Sequence, residues 1–114
     1  RFIFDVHSIY QIDTVFPEYS YHYQNDQFAF LWDSYPGKEK HSIEHFLTFF
    51  VEDPEEAGKF IREDELHQEQ TYSLDNYLRM LENSGFSKVE AFGDFTDEQP
   101  KEDTKRLFFV AYKE

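Results

Sequence analysis

The sequence contains no cysteine, only four glycines and four prolines, and no apolar run long enough to span a bilayer. The missing thiols remove disulfide staples, thiolate metal sites and cysteine nucleophiles, and suit a reducing compartment. Without a membrane-length segment or anything resembling a signal peptide, the expected location is cytoplasmic. Cations are scarce as well: eleven Lys and Arg face twenty-four Asp and Glu, leaving a net charge of −13 with histidine neutral. That field repels phosphate backbones and anionic lipid, so neither nucleic acid nor membrane is an expected partner.

What the chain has in quantity is aromatic side chain. Fourteen Phe, eight Tyr and one Trp make up 20% of 114 residues, and hydrophobic residues make up 39%. This supplies a core for one small domain, excludes a disordered chain and favours strands. The first residues add a separate expectation. Arg1 leads directly into the apolar run Phe2-Ile3-Phe4-Asp5-Val6 with no turn, cap or polar tail, which implies that a segment upstream has been removed.

Period-two alternation then dominates. Phe2 to Val6 predicts a strand covered on both faces. Thr14 to Gln24 alternates with Tyr19, Tyr21 and Tyr23 on one side, interrupted early by Pro17, and Asn25-Asp26 predicts a turn. Gln27 to Tyr35 places Phe28, Phe30 and Trp32 together, and Pro36-Gly37 marks a reversal into the strand His41 to Glu52. After the loop Asp53 to Gly58, Lys59 to Gln70 reads as a polar edge strand, completing a meander of about four strands.

The period changes to 3.6 at Ser73, a predicted N-cap. Asp75 lies in the first turn, and Leu74, Tyr77, Leu78 and Leu81 form an apolar stripe. Gly85 is placed for the left-handed position after the helix, with Phe86 folding back on it. Two strands follow, Lys88 to Phe95 and Arg106 to Lys113, and the unbroken apolar run Leu107 to Tyr112 predicts an interior strand with both faces covered.

A buried strand Phe2-Ile3-Phe4-Asp5-Val6-His7-Ser8, an aromatic antiparallel insertion, a helix ending Leu81-Glu82-Asn83-Ser84-Gly85-Phe86 and a closing strand pair resemble the C-terminal half of class I S-adenosylmethionine-dependent methyltransferases. The likeness covers essentially the whole chain. It implies that the first segment matches the fifth strand of the doubly wound sheet, that Gly85-Phe86 leads into the sixth, and that Leu107 to Tyr112 matches the seventh, antiparallel between them. It also implies that S-adenosylmethionine is the parent's cofactor, held by a glycine-rich loop and an acidic strand end in the half not present here. Gly37, Gly58, Gly85 and Gly93 form no such loop, so this piece is expected neither to bind the cofactor nor to transfer a methyl group alone.

The expected architecture is therefore α+β in two parts. One is a sheet remnant from residues 1–8 and 72–114, with strands near 2–7, 88–95 and 106–113 and a helix at about 74–84. The other is a β-meander insertion, residues 14–70, serving as a substrate lid. Asp5 and His7, at the carboxyl end of the first strand, are candidates to face the substrate, with His7 as a proton acceptor; alternatively Asp5 bonds the next turn and His7 is an ordinary loop residue. Tyr21, Tyr23 and Trp32 are the aromatics expected to offer polar tips to a substrate, whereas alternating aromatics otherwise serve as core. His41 and His45, with His22 and His67, lack zinc-type spacing, and no metal site is expected. Expected partners are the missing cofactor-binding half and a small-molecule or other non-nucleic-acid acceptor, with self-association through the open edge of strand 2–7. The rival reading is a non-catalytic β-rich module that binds a ligand or protein through its aromatic face.

Overall fold

Residues 1–113 are described by the computed structural model. Wherever large side chains alternate, the chain extends: β1 is Phe2–His7, β2 Ser20–Gln24, β3 Phe28–Pro36, β4 Ser42–Glu52, β5 Phe60–Gln70, β6 Lys88–Gly93 and β7 Arg106–Tyr112. Among the described residues the one α-helix of regular length, α1, is Leu74–Asn83. The strands form two antiparallel sheets, one ordered β1-β7-β6 and the other β2-β3-β4-β5. This is the expected α+β arrangement, with the two apolar end segments paired from Phe2↔Ala111 to His7↔Arg106.

The local signals around α1 act as anticipated. Ser73 accepts a hydrogen bond from the Asn76 N–H at 3.1 Å, and Gly85 takes φ +95°, a conformation open to glycine at no Cβ cost. The Phe86 N–H then bonds to the Leu81 carbonyl at 3.2 Å, and the Phe86 ring stacks on Phe2 with centroids 5.9 Å apart. Leu81 joins Leu107, Phe109 and Ala111 in a buried cluster against which Phe4 and Tyr77 pack.

Three expectations need correction. β1 and β7 are not covered on both faces: α1 lies on one side only. Phe109 is fully buried there, whereas Phe108 and Val110 point the other way and stay partly open, and Ile3 is 57% exposed. The segment 14–24 is not one strand either. Gln11–Val15 is a π-helical turn, closed by the Phe16 N–H bonding to the Gln11 carbonyl at 2.9 Å, and pairing begins only at Ser20. Ile12 and Phe16 are four apart and both buried against Ile43, so tertiary burial selects helical spacing there over the weak alternation of Thr14 and Val15. β6 also stops at Gly93, because Asp94 turns to φ 54°.

Asn25-Asp26 does close the β2–β3 hairpin, with the Asn25 N–H bonding to the Phe28 carbonyl at 2.8 Å and the Asn25 side chain accepting from the Gln27 N–H at 2.9 Å. Among the described residues only one end of the four-stranded sheet has a second layer, the π-helical turn over Ile43. Beyond it the sheet is one layer thick, and the molecule measures 58 × 28 × 24 Å.

Candidate functional site

The two sheets meet where β1 ends and β5 ends. Ser8 terminates β1: its N–H bonds to the Lys105 carbonyl at 2.9 Å, its hydroxyl donates to the Thr104 carbonyl, and the same oxygen accepts from the Gln11 N–H at 3.1 Å, starting the helical turn. On the other side Thr71 leaves β5. Its hydroxyl donates to the His7 carbonyl at 2.6 Å and lies 2.9 Å from the Tyr77 hydroxyl, tying β1, β5 and α1 together at a fully buried point.

His7 sits between two partners, which fixes its tautomer. Glu69 can only accept, so His7 Nδ1–H donates to Glu69 Oε1 at 2.7 Å. An arginine can only donate, so Arg106 Nη2 donates to His7 Nε2 at 3.0 Å, while Nη1 donates to Asp5 Oδ1 at 2.6 Å. The result is a carboxylate, imidazole, guanidinium and carboxylate in series, bordering a cleft of about 270 Å³ that also touches Thr71 and Tyr77. Burial pushes the Glu69 carboxyl up, but the hydrogen bond from His7 and the electrostatic pull of the cationic surroundings, Arg106 among them, outweigh it and hold the carboxyl below its ordinary value.

A second polar group lies behind the first. Trp32 Nε1–H can only donate and reaches Ser34 Oγ at 2.9 Å; the Ser34 hydroxyl in turn donates to His45 Nδ1 at 2.7 Å. Burial lowers the His45 pKa, and this outweighs the opposing pull of Glu69. The Phe16 ring stands edge-on to both imidazoles, 5.1 Å from His7 and 4.8 Å from His45, and so separates the two polar groups with an apolar plate.

Asp5 and His7 thus come together, while Tyr21, Tyr23 and Trp32 lie on the meander. The register places Tyr21 beside Trp32 and Tyr23 beside Phe30 on one face of that sheet. Tyr21 and Tyr23 are nearly half exposed, and among the described residues neither hydroxyl has a partner. Trp32 does not extend a free polar tip, because Ser34 and His45 take its N–H. His41 and His45 do not act jointly: His41, at φ 57°, bonds to Asp13 at 2.6 Å, away from buried His45. Among the described residues no three metal-ligating side chains converge. Glu69, Arg106, Thr71 and Phe16 were not singled out by sequence. The signal that would have found Arg106 is the β1–β7 register, which sets it directly opposite His7.

None of the four glycines builds a nucleotide cradle. Gly85 ends α1, Gly58 is a loop residue at φ +87°, Gly37 is pressed against Ser42, and Gly93 is pressed against Thr104.

A sheet with one helix on a face and a long β insertion between its first strand and that helix matches, in fold, part of a solved S-adenosylmethionine-dependent methyltransferase. The chain matches the crystal structure of such an enzyme from Clostridium acetobutylicum ATCC 824 with a TM-score of 0.77, over 98% of its own length and 44% of that chain, at 21% sequence identity. In sequence it is 43% identical over 111 residues to a putative methyltransferase of Geobacillus sp. (strain WCH70), and 37% identical over 111 residues to the putative methyltransferase YqeM of Bacillus subtilis (strain 168). Each alignment covers 97% of this chain and 44% of the relative, so the chain spans less than half the length of the curated relatives it matches. No protein-family model matches. The resemblance read from the sequence is borne out as a likeness: in fold to part of that solved methyltransferase, and in sequence to part of two putative methyltransferases. No helix among the described residues is long and apolar enough to cross a membrane.

Proposed function

We propose that this chain is the acceptor-side, C-terminal part of an S-adenosylmethionine-dependent methyltransferase that acts on a small-molecule or other non-nucleic-acid acceptor. The observation that carries this reading is the correspondence of 98% of the chain to 44% of one methyltransferase chain, with curated relatives matched over the same fraction. In this reading the cofactor-binding half lies elsewhere in the protein and pairs with the open edge of β1, and S-adenosylmethionine supplies an electrophilic methyl group to an acceptor atom. Alone, this chain neither holds the cofactor nor catalyses transfer.

The chain's own task is to position the acceptor and exclude water. Asp5 and His7 stand at the carboxyl end of β1, the edge where open α/β sheets seat ligands. With Arg106 donating to Nε2 and Glu69 accepting from Nδ1, both His7 nitrogens are engaged. His7 takes a proton from an acceptor only when Arg106 swings aside; otherwise it fixes Arg106 and Glu69 around the cleft. The meander with Tyr21, Tyr23 and Trp32 acts as the lid over the acceptor.

Calorimetry with S-adenosylmethionine on the full-length protein and on residues 1–114 alone tests the division of labour. Binding is expected for the full-length protein only. Tight binding to the isolated chain, or none to the whole protein, overturns the reading.

A further inference from the structure

We infer that the aromatic face of the meander docks a basic, apolar polypeptide segment, which narrows the methyl acceptor to a protein bearing such a segment. This rests on the acceptor-side reading above. Three observations carry it.

The first is an open aromatic surface. Beyond Trp32, the face that carries Glu69 continues as interleaved rings: Phe30 lies 5.7 Å from Tyr21, 6.3 Å from Tyr23 and 6.0 Å from Phe49, and Phe28 lies 6.3 Å from Phe49. Val51 and Ile61, paired across β4 and β5, extend it and are each nearly half exposed. The opposite face exposes Leu31, Tyr35, Phe46, Phe60 and Leu66 as well, but its rings do not interleave across the strands: Tyr35 and Phe46 form a pair at 5.5 Å.

The second is charge. Along edge strand β5, Glu63, Glu65 and Glu69 lie on the aromatic face at every second or fourth position, the last of them bonded to His7. No Lys or Arg of β2–β5 shares that face, where His67 stands between Glu65 and Glu69 and lies 3.5 Å from Glu65; Arg62 points to the other side and bonds to Asp64 at 3.1 Å. A row of carboxylates beside exposed rings suits a partner that is cationic and apolar together. A second copy would set carboxylate against carboxylate, and nucleic acid or anionic lipid would meet the same repulsion.

The third is size. From Leu47 to Val51 the patch runs about 14 Å along the strands and about 14 Å across the four of them, which matches two or three turns of helix and exceeds a small metabolite. The acidic row leads from this patch back to the cleft at His7.

The test uses the full-length protein and two synthetic helices of the same pattern and about four turns, one of Lys and Leu, the other of Glu and Leu. The Lys helix is expected to bind, with affinity falling as salt rises, and the Glu helix is not. The double variants Tyr21→Ser/Tyr23→Ser and Glu63→Lys/Glu65→Lys are each expected to weaken binding by about tenfold or more. Glu102→Lys, on a distant loop, is expected to leave it unchanged. Equal binding of both helices, unchanged affinity in both double variants, or self-association that protects Tyr21 and Tyr23 from solvent overturns the inference. S-adenosylmethionine binding is measured on the same samples. If the cofactor binds and the Lys helix does not, this inference fails alone; if the cofactor does not bind, the acceptor-side reading fails with it.

Discussion

The two sheets invert the usual relation between strand length and burial. β4 and β5 each run eleven residues, yet β5 is exposed along nearly all of it, whereas the seven-residue β7 alternates buried and half-buried positions throughout. The difference is the second layer. α1 closes one face of β1-β7-β6 and creates a cluster around Phe109, while the meander has only the π-helical turn over Ile43 at one end. Backbone pairing alone leaves apolar side chains in water; a sheet gains a core only where something packs on it.

The sharpest way to break this contrast is a pair of truncations. Phe109→Ala empties a fully buried position stacked on Phe4 at 4.9 Å, and urea unfolding is expected to show a loss of about 3–5 kcal/mol. Phe46→Ala on the bare meander, where the ring is 43% exposed, is expected to cost less than about 1 kcal/mol. Equal losses would mean the meander is as well packed as the helix-covered sheet.

Next in size is His45→Ala, which deprives Ser34 and Trp32 of their buried partner and is expected to cost about 1–3 kcal/mol. The same residue sets a pH dependence. Its folded pKa lies below 6.5, so as pH falls through 6.5 the unfolded chain takes up a proton that the folded one refuses, and stability drops. Glu69, held below 4.5, adds a further loss as pH falls beneath 4.5 toward its folded value. Unfolding midpoints measured at neutral and mildly acid pH should therefore decrease with acid, and less so in His45→Ala; a flat wild-type profile contradicts the buried-imidazole account.

A smaller effect than those at Phe109 and His45 belongs to the cap of the helix-covered part. Ser73→Ala removes the cap of α1 and is expected to lower stability by about 1 kcal/mol, with faster amide exchange confined to the first turn. Exchange that also quickens in the meander would show the two sheets unfolding as one unit.

Much of this fold was legible because the informative signals were local. Ser73, the Leu74 to Leu81 stripe and Gly85 specified α1 within one turn at each end, and alternation together with the two apolar runs placed every strand but β2 to within two residues. The failures came where local pattern and burial disagreed. Tyr19, Tyr21 and Tyr23 suggested a strand reaching back to Thr14, but Ile12 and Phe16 are drawn beneath Ile43, a contact made with residues far along the chain. The site was half legible: Asp5 and His7 are strand-end neighbours, whereas Glu69 is 62 residues from His7 and Arg106 is 99 residues away.

The sequence by itself determined the helix, the strands and the acidic, aromatic character of the meander, because each depends on propensity, period and composition over a few adjacent residues. Only the tertiary structure decided that His7 lies locked between Glu69 and Arg106, that the N–H of Trp32 turns inward to Ser34 and His45, and that Tyr21 and Tyr23 stay open. Those outcomes depend on which distant side chains the register and the crossing of two sheets bring within hydrogen-bond reach, a matter of packing geometry that no local stretch of sequence encodes.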